Sequence, residues 1–230
     1  MGITERKERQ RAELREQILA AARRIVLDEG FEALTMRKIA DAIEYSAATI
    51  YLYFENREAI GRQLCTEAFE HLVSYMAAAV AGIESPVERL MAIGRGYARF
   101  GFENPKEYKL LFMTDSAYME ALFGEKLDDP DDPGERAFQF LVDTIRQCVE
   151  CGAIAAEAPV LVAEMVWTGM HGIVSMALTC HLVLETSPEQ LVDAMCHTFL
   201  RGLAAAPTAA PASSAMLAPS NVTPPGRSSP

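Results

Sequence analysis

One helix-opening signal occurs four times in this chain and leaves little room for anything but helices. Ser85-Pro86-Val87-Glu88, Asn104-Pro105-Lys106-Glu107, Asp132-Pro133-Gly134-Glu135 and Ser187-Pro188-Glu189-Gln190 share one logic. Each puts a small polar side chain at N-cap, proline at the first helical position and Glu or Gln at the third. The cap accepts from an amide that has no partner inside the helix, and proline contributes no amide where none is wanted. Elsewhere apolar residues recur at intervals of three and four, and no run alternates as a strand would. The pattern predicts an all-α fold with helices over residues 5–29, 36–43, 47–54, 57–81, 86–103, 105–113, 116–123, 134–151, 159–184 and 188–203. Gly30 ends the first as a left-handed cap. Leu127–Asp132 reads as an acidic loop. From residue 204 onward Ala, Pro, Ser and Thr dominate, and that tail is expected to be disordered.

Charge is distributed unevenly. The net charge is -11 over 230 residues, which taken alone argues against nucleic acid as a partner. Residues 1–64, however, hold eleven Lys/Arg and eleven Asp/Glu, whereas the remainder holds ten and twenty-one. The amino-terminal part therefore escapes the acidity of the rest, and Arg6, Lys7, Arg9, Arg11 and Arg15 crowd its start, although Glu5, Glu8 and Glu13 interleave them, so the charge permits DNA without requiring it. The five cysteines (Cys65, Cys148, Cys151, Cys180, Cys196) form an odd set with no signal peptide before them. They read as reduced thiols of a cytoplasmic protein. The apolar stretch Pro159–Leu184 contains Glu164 and His171 and lacks basic flanks, so it is expected to be an interface helix with no membrane partner.

The densest information lies between Thr35 and Arg57, TMRKIADAIEYSAATIYLYFENR. Thr35 can cap a short helix whose Met36, Ile39, Ala40 and Ile43 form one apolar stripe. Glu44-Tyr45-Ser46 makes a tight turn, and Ser46 can cap a second helix with Ala47, Ile50 and Phe54 inward. Ala48, Thr49, Leu52 and Tyr53 then face outward. Two short helices on a long preceding one make a helix-turn-helix, whose second helix enters the major groove of DNA. Small residues at its start allow close approach, a threonine hydroxyl can meet bases or phosphate, and tyrosine phenols can reach phosphate oxygens. Periodicity alone favours a plain amphipathic helix pair, with tyrosines half-buried in a core.

Gly30-Phe31-Glu32-Ala33-Leu34-Thr35-Met36-Arg37-Lys38-Ile39-Ala40 resembles the G-(F/Y)-x-x-x-(T/S)-(V/M)-R-x-I-A lead-in of the tetracycline-repressor (TetR) family. Ser46 to Glu58 is similar to that family's S-x-G-T-(L/I)-Y-x-(Y/H)-F-x-(N/S)-(K/R)-E recognition segment. The resemblance covers roughly residues 11–60. It implies a DNA-binding transcriptional regulator that contacts DNA through Arg37, Ser46, Ala47, Ala48, Thr49, Tyr51, Tyr53 and Arg57. Three positions depart from the pattern: Ala48 where glycine is usual, Leu52 where an aromatic is frequent, and Glu55 where lysine is common.

Beyond residue 64, large flexible side chains accumulate. Tyr97, Phe100, Phe102, Tyr108, Phe112 and Met113 are followed by Tyr118, Met119, Phe123, Trp167 and Met170. Singly such residues are core; together they suit the wall of an apolar cavity. Trp167-Thr168-Gly169-Met170-His171-Gly172 resembles a Trp…His-Gly signature in one group of TetR carboxy-terminal domains, and Asn104-Pro105-Lys106-Glu107-Tyr108 resembles a segment of the same group. Trp167 and His171 lie i, i+4 on one helix face. His171 reads either as a buried imidazole satisfied by hydrogen bonds or as a ligand contact. The ligand-contact set expected here is Tyr97, Phe100, Tyr108, Phe112, Met113, Trp167, Met170 and His171.

These readings divide the chain into a three-helix DNA-binding domain (1–60), a ligand-sensing and dimerisation domain (61–203) and a tail (204–230). The last two helices are apolar around much of their circumference, which suits pairing in a homodimer. The expected partners are a double-stranded palindromic operator and a small apolar inducer, with no cofactor. Two rivals stay open at this level. One is a helical DNA-binding or interaction protein that needs no ligand. The other is a redox or metal sensor built on Cys148 and Cys151, one helical turn apart. Gly94-Arg95-Gly96 follows no strand and is no nucleotide fingerprint. No nucleophile elbow, P-loop or metallohydrolase motif points to an enzyme.

Overall fold

The computed structural model describes residues 2–114, 132–155, 157–180 and 184–204. The helix expected over 116–123, with Tyr118, Met119 and Phe123, lies outside them, as do most of the acidic loop and the tail beyond residue 204. Every regular element among the described residues is helical. α1 (Ile3–Glu29), a single 3-10 turn (Phe31–Ala33), α2 (Met36–Ala42) and α3 (Ala47–Tyr51) form a small head. α4 (Arg57–Val80) leads from it into a body of α5 (Pro86–Glu103), α6 (Pro105–Phe112), α7 (Pro133–Glu150), α8 (Pro159–Thr179) and α9 (Pro188–Gly202).

Side-chain caps open most of these helices. Thr35 Oγ1 accepts from Lys38 N at 3.1 Å, Ser46 Oγ from Thr49 N at 3.2 Å and Asn56 Oδ1 from Ala59 N at 2.8 Å. Ser85, Asp132 and Ser187 act likewise for α5, α7 and α9. Asn104 differs from expectation: its side chain does not cap α6. Its amide donates to Tyr75 Oη (3.1 Å) and to the Phe100 carbonyl (3.3 Å), tying the α5–α6 corner to α4. Gly30 also differs from the expected left-handed cap. Its φ is positive (84°) but its ψ is 166°, a region essentially confined to glycine. The chain therefore leaves α1 extended rather than curling back. α3 stops at Tyr51 rather than 54, and the Tyr53 and Phe54 amides both turn back to the Ile50 carbonyl.

The core is continuous from Ile18 to Cys196. Ile18, Ala22, Ile25, Leu34, Ile39, Ile50 and Phe54 fill the head; Ile60, Leu64, Ala68, Leu72 and Met76 of α4 carry that packing into the body. α5 lies at the centre, and Gly94-Arg95-Gly96 sits within it. At Gly101 a Cβ would stand 2.5 Å from Val174 Cγ1 of α8 and 3.1 Å from Tyr108 Cδ2 of α6. Absence of a side chain there is what lets α5, α6 and α8 converge. α8 is unlike the other helices. By length and composition it could cross a membrane, yet only 28% of its apolar stretch is buried by the rest of the chain. Leu161, Met165 and Met176 stand exposed along it.

Candidate DNA-reading head and sensing cluster

The turn between α2 and α3 depends on Glu44, whose φ of 60° is the one positive value at a non-glycine residue among those described. That reversal brings Ser46 to the start of α3, where its hydroxyl both caps the helix and lies 2.9 Å from Thr49 Oγ1. Arg37, Ser46, Ala48 and Tyr51 are solvent-exposed on the head, while Ala47 and Thr49 are half-buried. Tyr51 is 57% exposed and Leu52 73%, an unusual surface for residues that would lose contact with water in a core. Among the described residues Arg37 pairs with Asp41, at 3.9 Å, and both side chains are largely solvated.

Tyr53 and Arg57 are also half-buried, each against a neighbour. Tyr53 is half-buried, its ring under the Arg11 guanidinium at 5.9 Å. Arg57 lies over the Phe31 ring at 5.1 Å and donates to Glu58 at 2.9 Å, so its charge is held at the base of the head. Tyr45 is 47% exposed in the turn, beside the capping Ser46.

In the body, Tyr97 (α5), Tyr108 and Phe112 (α6), and Trp167 and His171 (α8) form one cluster. Tyr97 Oη donates to Tyr108 Oη at 3.2 Å, and Tyr108 Oη lies 2.7 Å from His171 Nδ1. The Tyr108 and His171 rings stack at 5.7 Å with 19° between planes. Phe112 packs 5.0 Å from Tyr108, 5.6 Å from His171 and 6.2 Å from Trp167. Burial raises the Tyr97 phenol well above 10 and pushes Tyr108 up to about 12; desolvation lowers His171 below 6.5. All three groups are therefore neutral near pH 7. A phenol donating to Nδ1 places the imidazole proton on Nε2.

The other expected sensing residues lie elsewhere. Phe100, three residues on from Tyr97 along α5, turns to α4, 5.7 Å from the rings of His71 and Tyr75. Met170 packs toward α5 and α9, its sulfur beside Gly94. Met113 lines a cavity of about 450 Å3 at the seam between head and body, with Val26, Leu27, Phe31, Lys109 and Leu110. Phe138 of α7, 6.1 Å from the Trp167 ring, joins the cluster without having been singled out. Its sequence signal was only an apolar position on an amphipathic helix.

The helix α6 links head and cluster through three consecutive residues. Lys106 Nζ bonds Asp28 of α1 at 2.9 Å, Glu107 Oε2 lies 2.8 Å from His71 Nδ1 of α4, and Tyr108 enters the cluster. The three buried cysteines offer little chemistry, while Cys151 and Cys180 are exposed. Burial pushes Cys65 up to about 12 and Cys148 and Cys196 to about 11, while Cys151 donates to the Cys148 carbonyl at 3.4 Å. Thiols held that high are poor nucleophiles. Among the described residues no three His, Cys, Asp or Glu side chains come together as metal ligands.

Comparison with known proteins supports this arrangement. Residues 18–64 match the family described as bacterial regulatory proteins, tetR family, and residues 90–199 match the tetracyclin repressor-like C-terminal domain. An uncharacterized HTH-type transcriptional regulator of Haemophilus influenzae is 37% identical over 59 residues, 26% of this chain and 32% of that protein. The match thus spans about a third of that relative. Among solved structures, a Rhodococcus sp. RHA1 protein of unknown function aligns with TM-score 0.66 and 24% identity, covering 83% of this chain and 95% of its own. The fatty acid degradation regulator FadR from Bacillus halodurans aligns with TM-score 0.65 and 18% identity, covering 81% and 94%. Two family models in the expected order, laid over a head and body of matching fold, show that the chain belongs to the TetR family of transcriptional regulators.

Proposed function

We propose that this chain is a dimeric repressor that binds a palindromic double-stranded operator and is released by a small apolar inducer. The DNA contacts in this reading are Arg37, Ser46, Ala47, Ala48, Thr49 and Tyr51, with Tyr53 and Arg57 shaping the edge of the surface. The inducer occupies the space around Tyr97, Tyr108, Phe112, Trp167 and His171. The observation that carries the reading is α6, whose residues 106–108 join α1, α4 and the aromatic cluster in one helical turn. A ligand that displaces Tyr108 must move α6, and α6 is bonded to both helices that aim the head. Such a ligand shifts the population away from the DNA-binding arrangement by its difference in affinity for the two states.

The dimer rests on α8. Leu161, Met165 and Met176, with half-buried Leu191 and Met195 of α9, present apolar surface that a second copy would cover. Two heads spaced by about 34 Å would then meet successive major grooves. In this reading the DNA-binding domain ends near residue 60, inside the start of α4, and the sensing and dimerisation domain runs to about residue 203.

Purified protein mixed with fragments of its own upstream DNA tests this by mobility shift across salt. Binding to a palindrome-containing fragment as a dimer, lost in Tyr51→Ala, is the expected result. Absence of any sequence-specific binding by the wild type overturns it. A ligand-independent regulator is favoured by the near-complete burial of Tyr97 and Tyr108, whose hydroxyls already satisfy each other. It gains if no apolar compound raises the melting temperature or releases DNA.

A further inference from the structure

The first turns of α1 carry a charge pattern that the DNA-reading head does not account for. Residues 4–13 are all exposed, so about 15 Å of helix runs past the packed head. Within the head, α1 turns Ile18, Ala22 and Ile25 to the core. Continued toward the amino terminus at helical spacing, that same face is occupied by Arg15, Arg11 and Lys7. These three lie within roughly 80° of arc, whereas Arg9 stands roughly 160° from Arg11. The stripe changes from apolar to basic where the helix leaves the core.

The structure fixes which way the stripe points. Arg15 lies over the Phe54 ring at 5.1 Å and donates to Gln63 Oε1 at 3.0 Å, and Arg11 lies over the Tyr53 ring at 5.9 Å. Both rings belong to the segment that immediately follows α3. Arg11 and Lys7 therefore adjoin the end of the reading helix and extend its surface. Neither is consumed by an ion pair among the described residues, in contrast to Arg9, which pairs with Glu13 on the far side of α1. Glu5 is likewise turned away, bonded to the Gly2 amide. Glu8 flanks the stripe and is the one carboxylate close to it by helical position.

We propose that Lys7 and Arg11 form a phosphate-binding arm that grips the DNA backbone beside the base-reading surface. The arm's partner is the duplex phosphate chain, irrespective of sequence. This rests on the DNA-binding reading above but assigns residues that reading does not use. Glu44 and Glu55 put carboxylates on the exposed head, and the arm supplies affinity for phosphate from a separate element.

Phosphate contacts release counterions, so each one steepens the dependence of log affinity on log salt by about 0.9. Full-length wild type, Lys7→Gln, Arg11→Gln and the double variant are titrated by fluorescence anisotropy across salt. The probes are the bound upstream fragment and a random duplex of equal length. Gln keeps helix propensity close to Lys and Arg. Each single variant is expected to flatten the slope by about one, the double by about two, and to do so equally on both duplexes. Arg9→Gln, on the opposite face, is expected to leave the slope unchanged. Lys7 is exposed and makes no hydrogen bond or ion pair among the described residues, so its effect is expected without a change in melting temperature. Unchanged slopes in Lys7→Gln and Arg11→Gln overturn the arm while leaving the head intact. Equal flattening by Arg9→Gln overturns the stripe in favour of bulk charge. A wild type that binds neither duplex at low salt overturns both the arm and the DNA-binding reading.

Discussion

Glu44 adopts the left-handed conformation in the turn that joins α2 to α3. For a residue with a Cβ that geometry costs on the order of 1 kcal/mol, a cost glycine escapes. Glu44→Gly is therefore expected to stabilise the protein by about 0.5–1 kcal/mol in denaturant titration and to tighten DNA binding by removing a carboxylate from the head. His171 gives a second outcome at this scale. Desolvation holds its pKa below 6.5, so as pH falls the unfolded chain takes up that proton first. Its contribution is complete above about 6.5 and declines as pH drops through the interval down to the folded value. Denaturant midpoints measured from pH 7.5 to 5 should fall, and His171→Gln should flatten that fall. Residue identity made the capping serines and threonine readable, because their short oxygens reach an amide only two or three residues along. Asn104 was misread for the complementary reason: the Tyr75 hydroxyl that takes its amide comes from another helix.

Among the elements, α5 and α6 decide most. Val174 is fully buried and β-branched, so it cannot swing away from a methyl placed at Gly101. Gly101→Ala is expected to cost about 1–3 kcal/mol, as overpacking of a filled core does, and to shift Tyr108 and its contact with His171. Thermal unfolding and the His171 ring resonances check both parts. The Lys106–Asp28 pair is solvated on both sides and contributes little stability, within about 1 kcal/mol. Its proposed role is mechanical. Lys106→Ala is expected to leave the melting temperature and operator affinity nearly unchanged while weakening release of DNA by inducer, measured as inducer-dependent anisotropy. Helix positions were legible because apolar spacing and caps are local signals. The division of the aromatics was not: Tyr97 and Phe100 are three residues apart on α5, yet one meets α6 and α8 and the other α4.

For the whole molecule, the unusual feature is α8, apolar enough for a membrane and mostly uncovered by its own chain. Under the dimer reading, Met165→Glu buries a charge in the interface and should convert a dimer into a monomer by sedimentation, with operator binding lost in parallel. An unchanged sedimentation coefficient would remove α8 from the interface. The amino-acid sequence by itself determined an all-helical chain, the turn and caps of the helix-turn-helix, and the TetR resemblance, all carried by interactions spanning four residues or fewer. The tertiary structure decided the rest. It gathered Tyr97, Tyr108, Phe112, Phe138, Trp167 and His171 into one cluster, turned Phe100, Met113 and Met170 to other neighbours, and set Arg11 and Arg15 over the rings that follow the reading helix. Those outcomes depend on how helices far apart in sequence meet, and helical periodicity states only which face is apolar, never which neighbour will cover it.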